Sequence, residues 1–234
     1  MEHKRLTLFA GHYGSGKTNI AVNYALHLAR EGKKVCIADL DIVNPYFRTK
    51  DSEAELTAAG VELISPQFAN SNVDLPALPA EAYRLVEDRS AYGIMDIGGD
   101  DRGAYALGRY VPYILKENNY RMAFVANCYR PLTRTPEEAL EVMGEIEQAC
   151  GLKFTDIVNN ANLGWETTAE TVLSSLDYME TLSQLSGLPI WLNTAEAAVA
   201  EQLAGRVSPL LSMKLQKKYF DLPSQKPQNR HLWG

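Results

Sequence analysis

The chain has 234 residues, with 29 acidic and 23 basic side chains and a formal net charge of -6 at pH 7. That length allows one sizeable core, and the acidic balance argues against general nucleic-acid affinity. No apolar run nears the roughly 20 residues that span a bilayer, and Cys36, Cys128 and Cys150 are too scattered for a disulfide framework or a self-contained zinc site. The N-terminus runs straight into a first strand with no signal-peptide apolar region, so a cytoplasmic location is expected.

Residues 6–10 read as a short buried strand. Gly11-His12-Tyr13-Gly14-Ser15-Gly16-Lys17-Thr18 follows and fits the phosphate-binding pattern G-x-x-x-x-G-K-[ST] at every fixed position. Residues 18–30 read as a helix, with Ile20, Ala21, Tyr24, Ala25 and Leu28 on its apolar side and Gly32 as its C-cap. Strand, glycine loop and helix let the backbone of Tyr13, Gly14, Ser15 and Gly16 fold around a phosphate with N–H groups pointing inward. In such a motif Lys17 reaches the β- and γ-phosphates and the Thr18 hydroxyl ligates Mg²⁺.

The second strand, residues 35–40, runs into Asp39-Leu40-Asp41. Carboxylates at such a strand end face the ligand crevice of open α/β sheets, and residues two apart on an extended chain point the same way. Residues 42–49 hold Pro45, two aromatics and Arg48; the segment is either an ordinary loop or a switch loop with Arg48 near a phosphate or a partner. A helix over 52–59, a strand over 61–64, a long loop over 65–78 and a helix from Pro79 to about 87 come next. The strand at 91–95 ends in Asp96-Ile97-Gly98-Gly99. There Asp96 would bind Mg²⁺ through water and the Gly99 N–H would sense a γ-phosphate. Asp100 and Asp101 read as turn residues or ligands.

Residues 104–116 read as a helix that Pro112 kinks or breaks. Residues 122–127 form a strand with an exit loop to Pro131, and Thr135-Pro136-Glu137-Glu138 opens a helix reaching about residue 150. A strand at 155–158 leads into Asn159-Asn160-Ala161-Asn162. The amide of Asn159 or Asn160 suits adenine, and the carboxylate that would select guanine is absent. A helix from Thr167 or Thr168 to about 186, a strand at 189–192, a helix over 195–204 and a further helix from Pro209 onward close the chain. Strands alternating with helices predict an α/β fold: one domain over 1–234 with a tail from about 221, and a mainly parallel sheet with helices on both faces.

The loop at residues 11–18, the D-x-D of Asp39 and Asp41, the D-x-x-G of residues 96–99, the strand ending at Asn159 and the closing Leu188-Pro189-Ile190-Trp191-Leu192-Asn193-Thr194-Ala195-Glu196 are similar to the MinD/ParA branch of the P-loop NTPases. The nitrogenase iron protein and the metal-insertion ATPases belong to that branch. The resemblance runs from about residue 6 to residue 211 by element order. It implies an ATPase that binds ATP or ADP with Mg²⁺ and whose nucleotide sets switch-loop conformation and the choice of protein partner. It further implies that Lys17 stabilises the transferring phosphoryl group, that Asp41 orients the attacking water, and that Thr18, Asp41 and Asp96 form the metal set. The branch carries a lysine directly after the first loop glycine, where this chain has His12, so either hydrolysis is slow, or Arg48, Arg102 or a different protein supplies the cation; low basal activity and at most a weak nucleotide-dependent homodimer are expected. No cysteine follows closely after Asp96, which argues against an iron–sulfur cluster, and the basic stretch at 208–220 is expected to pack on the sheet rather than on a membrane. A small-molecule kinase or ATP-dependent ligase of the same fold is the alternative, with an acceptor held by Arg48 and the loop from Asn70 to Asp74.

Overall fold

The structure, a computed structural model, describes residues 2–40, 49–64, 80–98 and 101–216. In chain order its elements are β1 (Leu6–Ala10), α1 (Lys17–Arg30), β2 (Val35–Leu40), α2 (Glu53–Ala58), β3 (Glu62–Ile64), α3 (Arg84–Glu87), β4 (Tyr92–Ile97), α4 (Asp101–Gly108), α5 (Val111–Glu117), β5 (Tyr120–Ala126), α6 (Pro136–Cys150), β6 (Asp156–Asn159), α7 (Ala169–Leu173), α8 (Leu176–Ser186), β7 (Ile190–Glu196), α9 (Ala197–Leu203) and β8 (Leu210–Met213). The strands form one sheet in the order β3-β2-β4-β1-β5-β6-β7-β8, and every pairing is parallel. Parallel neighbours need crossover connections, and these cover both faces with helices.

Side chains alternate across the strands as the pleat requires. Leu6, Leu8, Met95, Met122 and Phe124 share one core cluster with Leu107 of α4, Ile114 of α5, Met143 of α6 and Leu182 of α8. Phe9, Ile37, Ile94, Ala123 and Val125 belong to the opposite cluster with Ile20, Tyr24 and Leu28 of α1. The chain leaves β1 for β2 on one side and later reaches β5 on the other. The C-terminal end of β1 is therefore a topological switch point, where α/β sheets open a ligand crevice.

Two expectations change, and a third, the break at Pro112, is met. Residues from Pro209 onward do not start a helix: Leu210–Met213 is an edge strand paired with β7, Asn193 to Leu210 through Glu196 to Met213. Leu211 and Met213 are buried while Ser212 between them is exposed, a period of two that suits a strand. The helix over 104–116 is two helices, because Pro112 lacks an N–H and sits in the first turn of α5 instead of inside one rod. The helix after Thr168 is also two. Thr168 caps α7 in a reciprocal box with Thr171, and the break falls at Ser174 and Ser175.

Candidate functional site

The loop between β1 and α1 turns on glycines. Gly11, Gly14 and Gly16 have φ of 151°, 75° and 93°. A Cβ at Gly16 would stand 2.2 Å from Asn160 Nδ2, and one at Gly11 would stand 2.7 Å from the Val125 carbonyl oxygen. Positive φ and close approach together admit only glycine at these two positions. Gly16 is the N-cap of α1; no side chain caps it there, and the first turn holds no acidic residue. Helix α6 differs: Thr135 and Glu138 form a capping box, and two glutamates sit in its first turn. The start of α1 thus presents its backbone donors and dipole to an anion in a way the start of α6 does not. Ser15 Oγ, in the same loop, is buried with no hydrogen-bond partner among the described residues. That cradle and that hydroxyl fit a polar, anionic ligand.

Lys17 and Thr18 open α1 and are buried at the base of a cleft of about 380 Å³. Lys17 Nζ donates to the His12 carbonyl at 3.2 Å, so it is the backbone of His12 that meets the lysine; the His12 ring lies 3.0 Å from the Tyr13 carbonyl oxygen. Tyr13 stands exposed at the rim. The opposite wall comes from the exit loops of β5 and β6. Asn160 Nδ2 donates to the Ser15 carbonyl at 2.5 Å, and Thr194 Oγ1 donates to Asn160 Oδ1 at 2.7 Å. Arg130 Nε donates to the Gly14 carbonyl at 3.1 Å.

The two asparagines expected at a base are placed differently. Asn160 lines the cleft. Asn159 lies beneath it as a scaffold residue: its Nδ2 donates to Ser175 Oγ (2.9 Å) and Asn193 Oδ1 (3.0 Å), and its Oδ1 accepts from the Ala161 N–H (3.1 Å).

Asp39 and Asp96 are register partners on β2 and β4, and Asp96 also pairs with Phe9, two residues before Gly11. Both are buried. Thr49 bridges them: its N–H donates to Asp39 Oδ2 at 3.2 Å and its hydroxyl donates to Asp96 Oδ2 at 3.2 Å. The strand-end carboxylates are thus brought together beside the loop. Asp41, Arg48, Gly99, Asp100 and the whole stretch from Asn70 to Asp74 lie outside the described residues, as does the chain beyond Gln216.

Three contributors were not singled out from the sequence. Arg130 reaches a loop 116 residues away. Asn19 and Asn23, one turn apart on α1, hold the chain leaving β8: Asn23 brackets Lys214 through its N–H (2.9 Å) and carbonyl (3.0 Å), and Asn19 Oδ1 accepts from the Gln216 N–H (3.0 Å). That brings Met213, Leu215 and Gln216 to the cleft wall. The paired asparagines at a four-residue spacing were the available signal. The three cysteines are free, and burial raises each thiol above its ordinary value, Cys36 to about 12. No described helix is long and apolar enough to cross a membrane.

An all-parallel sheet with a glycine loop between its central strand and the following helix is the P-loop NTPase fold. Solved structures with this fold include FtsY from Mycoplasma mycoides (TM-score 0.55, 17% identity, 80% of this chain and 58% of that one). The signal recognition particle receptor FtsY from Elizabethkingia anophelis is similar too (TM-score 0.52, 16% identity, 81% and 58%). So is the signal recognition particle 54 kDa protein from Aeropyrum pernix, solved in complex with GDP (TM-score 0.50, 19% identity, 79% and 40%). At these identities the likeness is one of fold, and the chain spans 58%, 58% and 40% of those proteins. No protein-family model and no curated protein matches the chain.

Proposed function

We propose that this chain is a Mg²⁺-dependent nucleotide-binding protein and slow ATPase, close to the MinD/ParA branch, that acts as a nucleotide-controlled switch or assembly factor. The observation that carries the reading is one cleft lined by the Gly16-capped helix start, Lys17 and Thr18, next to the strands whose ends carry the register partners Asp39 and Asp96. On this reading the backbone of Tyr13, Gly14, Ser15 and Gly16 and the Lys17 ammonium hold the phosphates. Thr18, and Asp96 through water, hold Mg²⁺, with Asp41 as a further member. The bound metal supplies charge that neutralises the β- and γ-phosphoryl oxygens. Asp41 orients the attacking water as a general base, and the Gly99 N–H reports the γ-phosphate. Arg130 lines the cleft and is tethered through Nε to Gly14, which keeps a planar, permanently charged guanidinium at a site where the chain carries His12 in place of a lysine. Residues 1–234 then form one cytoplasmic nucleotide-binding domain, monomeric or weakly dimeric, working with a protein partner. Titration with ATP, with Mg²⁺ present and after its removal by EDTA, tests the reading. Binding that ignores the metal would contradict it.

Base preference follows from the cleft wall. Among the described residues, Asn160 keeps one N–H and one lone pair beyond its bonds to Ser15 and Thr194, and the exit loop holds Asn162 and no carboxylate to accept from guanine. ATP should therefore outcompete GTP. A competition in which GTP displaces ATP at equal or lower concentration would contradict this, a sharp test given the GDP-bound neighbour.

Turnover of the isolated protein should stay below about once per minute, the range of unassisted P-loop switches. His12→Ala should leave both turnover and ATP-dependent light scattering unchanged. A fast ATPase whose activity and ATP-induced dimer both vanish in that variant would assign His12 the role of the missing lysine.

A further inference from the structure

Away from the cleft, at the other end of α1, three donor side chains meet. His27 and Glu31 stand one turn apart where the helix ends, and His3 arrives from the segment that leads into β1. His3 Nε2 lies 3.0 Å from Glu31 Oε2, and His27 Nε2 lies 3.3 Å from Glu31 Oε1. The two imidazoles are set edge to face with centroids 6.0 Å apart. One donor atom from each of the three residues falls within 4.8 Å of the other two.

We propose that His3, His27 and Glu31 form a zinc-binding site that clasps the entry to β1 onto the end of α1. Two imidazole nitrogens and a carboxylate oxygen are the donor set of open zinc sites. Ligand atoms at zinc bond lengths in a tetrahedron stand about 3.3 Å apart. Each histidine–glutamate separation is near that edge, His3 to one carboxylate oxygen and His27 to the other, and the three donor atoms all lie within 4.8 Å of one another. The His3 ring is already oriented to ligate, since its Nδ1 lies 3.0 Å from the Tyr24 hydroxyl and Tyr24 is buried in the core. That contact fixes the far side of the ring and leaves Nε2 as the donor, the supporting arrangement typical of ligating histidines. The three side chains grade from enclosed to open, 9% exposed for His3, 35% for His27 and 39% for Glu31, which leaves an entry path and a fourth position for water. A two-histidine, one-carboxylate set suits a divalent transition ion rather than Mg²⁺ or Ca²⁺, whose preference is for oxygen. The clasp joins the two ends of the β1–α1 unit that are remote from the glycine loop. It requires no nucleotide, and its test is independent of the nucleotide reading.

The experiment is Zn²⁺ titration of the full chain, free of any histidine tag and of nucleotide, by calorimetry and thermal melting. One Zn²⁺ should bind per chain and raise the melting temperature by roughly 5–10 °C at a free concentration 100 times the dissociation constant. Co²⁺ in its place should give the intense visible absorption of a tetrahedral site. His27→Ala, at a half-exposed position that folding tolerates, should weaken Zn²⁺ binding by about 10-fold or more, as should Glu31→Gln and His3→Ala. If the parent binds no Zn²⁺ at micromolar concentration, the cluster is only a set of ion pairs and the proposal is overturned. If Zn²⁺ binds but all three variants bind it as the parent does, the site lies elsewhere and the assignment is equally overturned.

Discussion

Lys17→Ala is expected to lower the affinity for ATP with Mg²⁺ by about 100-fold or more, with the fold intact. A charge-assisted hydrogen bond to phosphate contributes roughly 1.5–3 kcal/mol, and a buried site raises that by excluding water. Lys17 sits in the first turn of α1 with its ammonium held at the His12 carbonyl, so the cation is positioned before any ligand arrives. The loop conformation itself rests on Gly11 and Gly16 and on the Asn160 and Arg130 bonds to Ser15 and Gly14, none of which the substitution removes. The variant should therefore melt near the parent temperature while calorimetry records the loss. Unchanged ATP affinity would remove the phosphate-loop reading.

The largest effect on stability is expected from Glu117→Ala, at the opposite end of the sheet. Arg5 enters β1 with its side chain 9% exposed, and Glu117 faces it at 8%. Arg5 Nη1 donates to the carbonyls of Leu85 (2.9 Å), Asp88 (3.2 Å) and Ala91 (3.1 Å), while Nε and Nη2 donate to the Glu117 carboxylate. The guanidinium thus sews α3, β4 and α5 to the first strand. Removing the carboxylate strands a buried cation among carbonyls, a change that costs about 3–5 kcal/mol. In a chain of this size that lowers the melting temperature by roughly 6–20 °C. Glu117→Gln keeps an acceptor and should fall between parent and alanine. Urea unfolding that places Glu117→Ala within about 1 kcal/mol of the parent would show that the pair is solvated rather than buried.

What could be read from the sequence was what is local. The glycine loop, the acidic strand ends and the Thr135 cap are set by neighbours within a few residues, and the structure shows the loop and cap as short-range geometry demands. A mainly parallel sheet was likewise legible, because strands alternate with helices along the chain and the central strands run apolar on both faces; the observed sheet is parallel throughout. What escaped depends on contacts across the chain. Arg130 meets Gly14 only because β5 lies beside β1. Asn159 and Asn160 are adjacent, yet the turn of the chain at the end of β6 sends one amide to the scaffold and the other to the loop. Residues from Pro209 read as a helix because their basic and apolar residues fit a helical stripe. Pairing with β7 and the two α1 asparagines decided otherwise.

The most direct test of the central claim is a titration of isotope-labelled protein with ATP and Mg²⁺, followed through its backbone amide resonances. The largest shifts should fall on Gly14, Ser15, Gly16, Lys17 and Thr18, with smaller ones at Asn160 and Arg130, and all should saturate at one nucleotide per chain. No shifts at millimolar ATP, or shifts that leave the residue 14–18 amides unmoved, would contradict nucleotide binding at this loop.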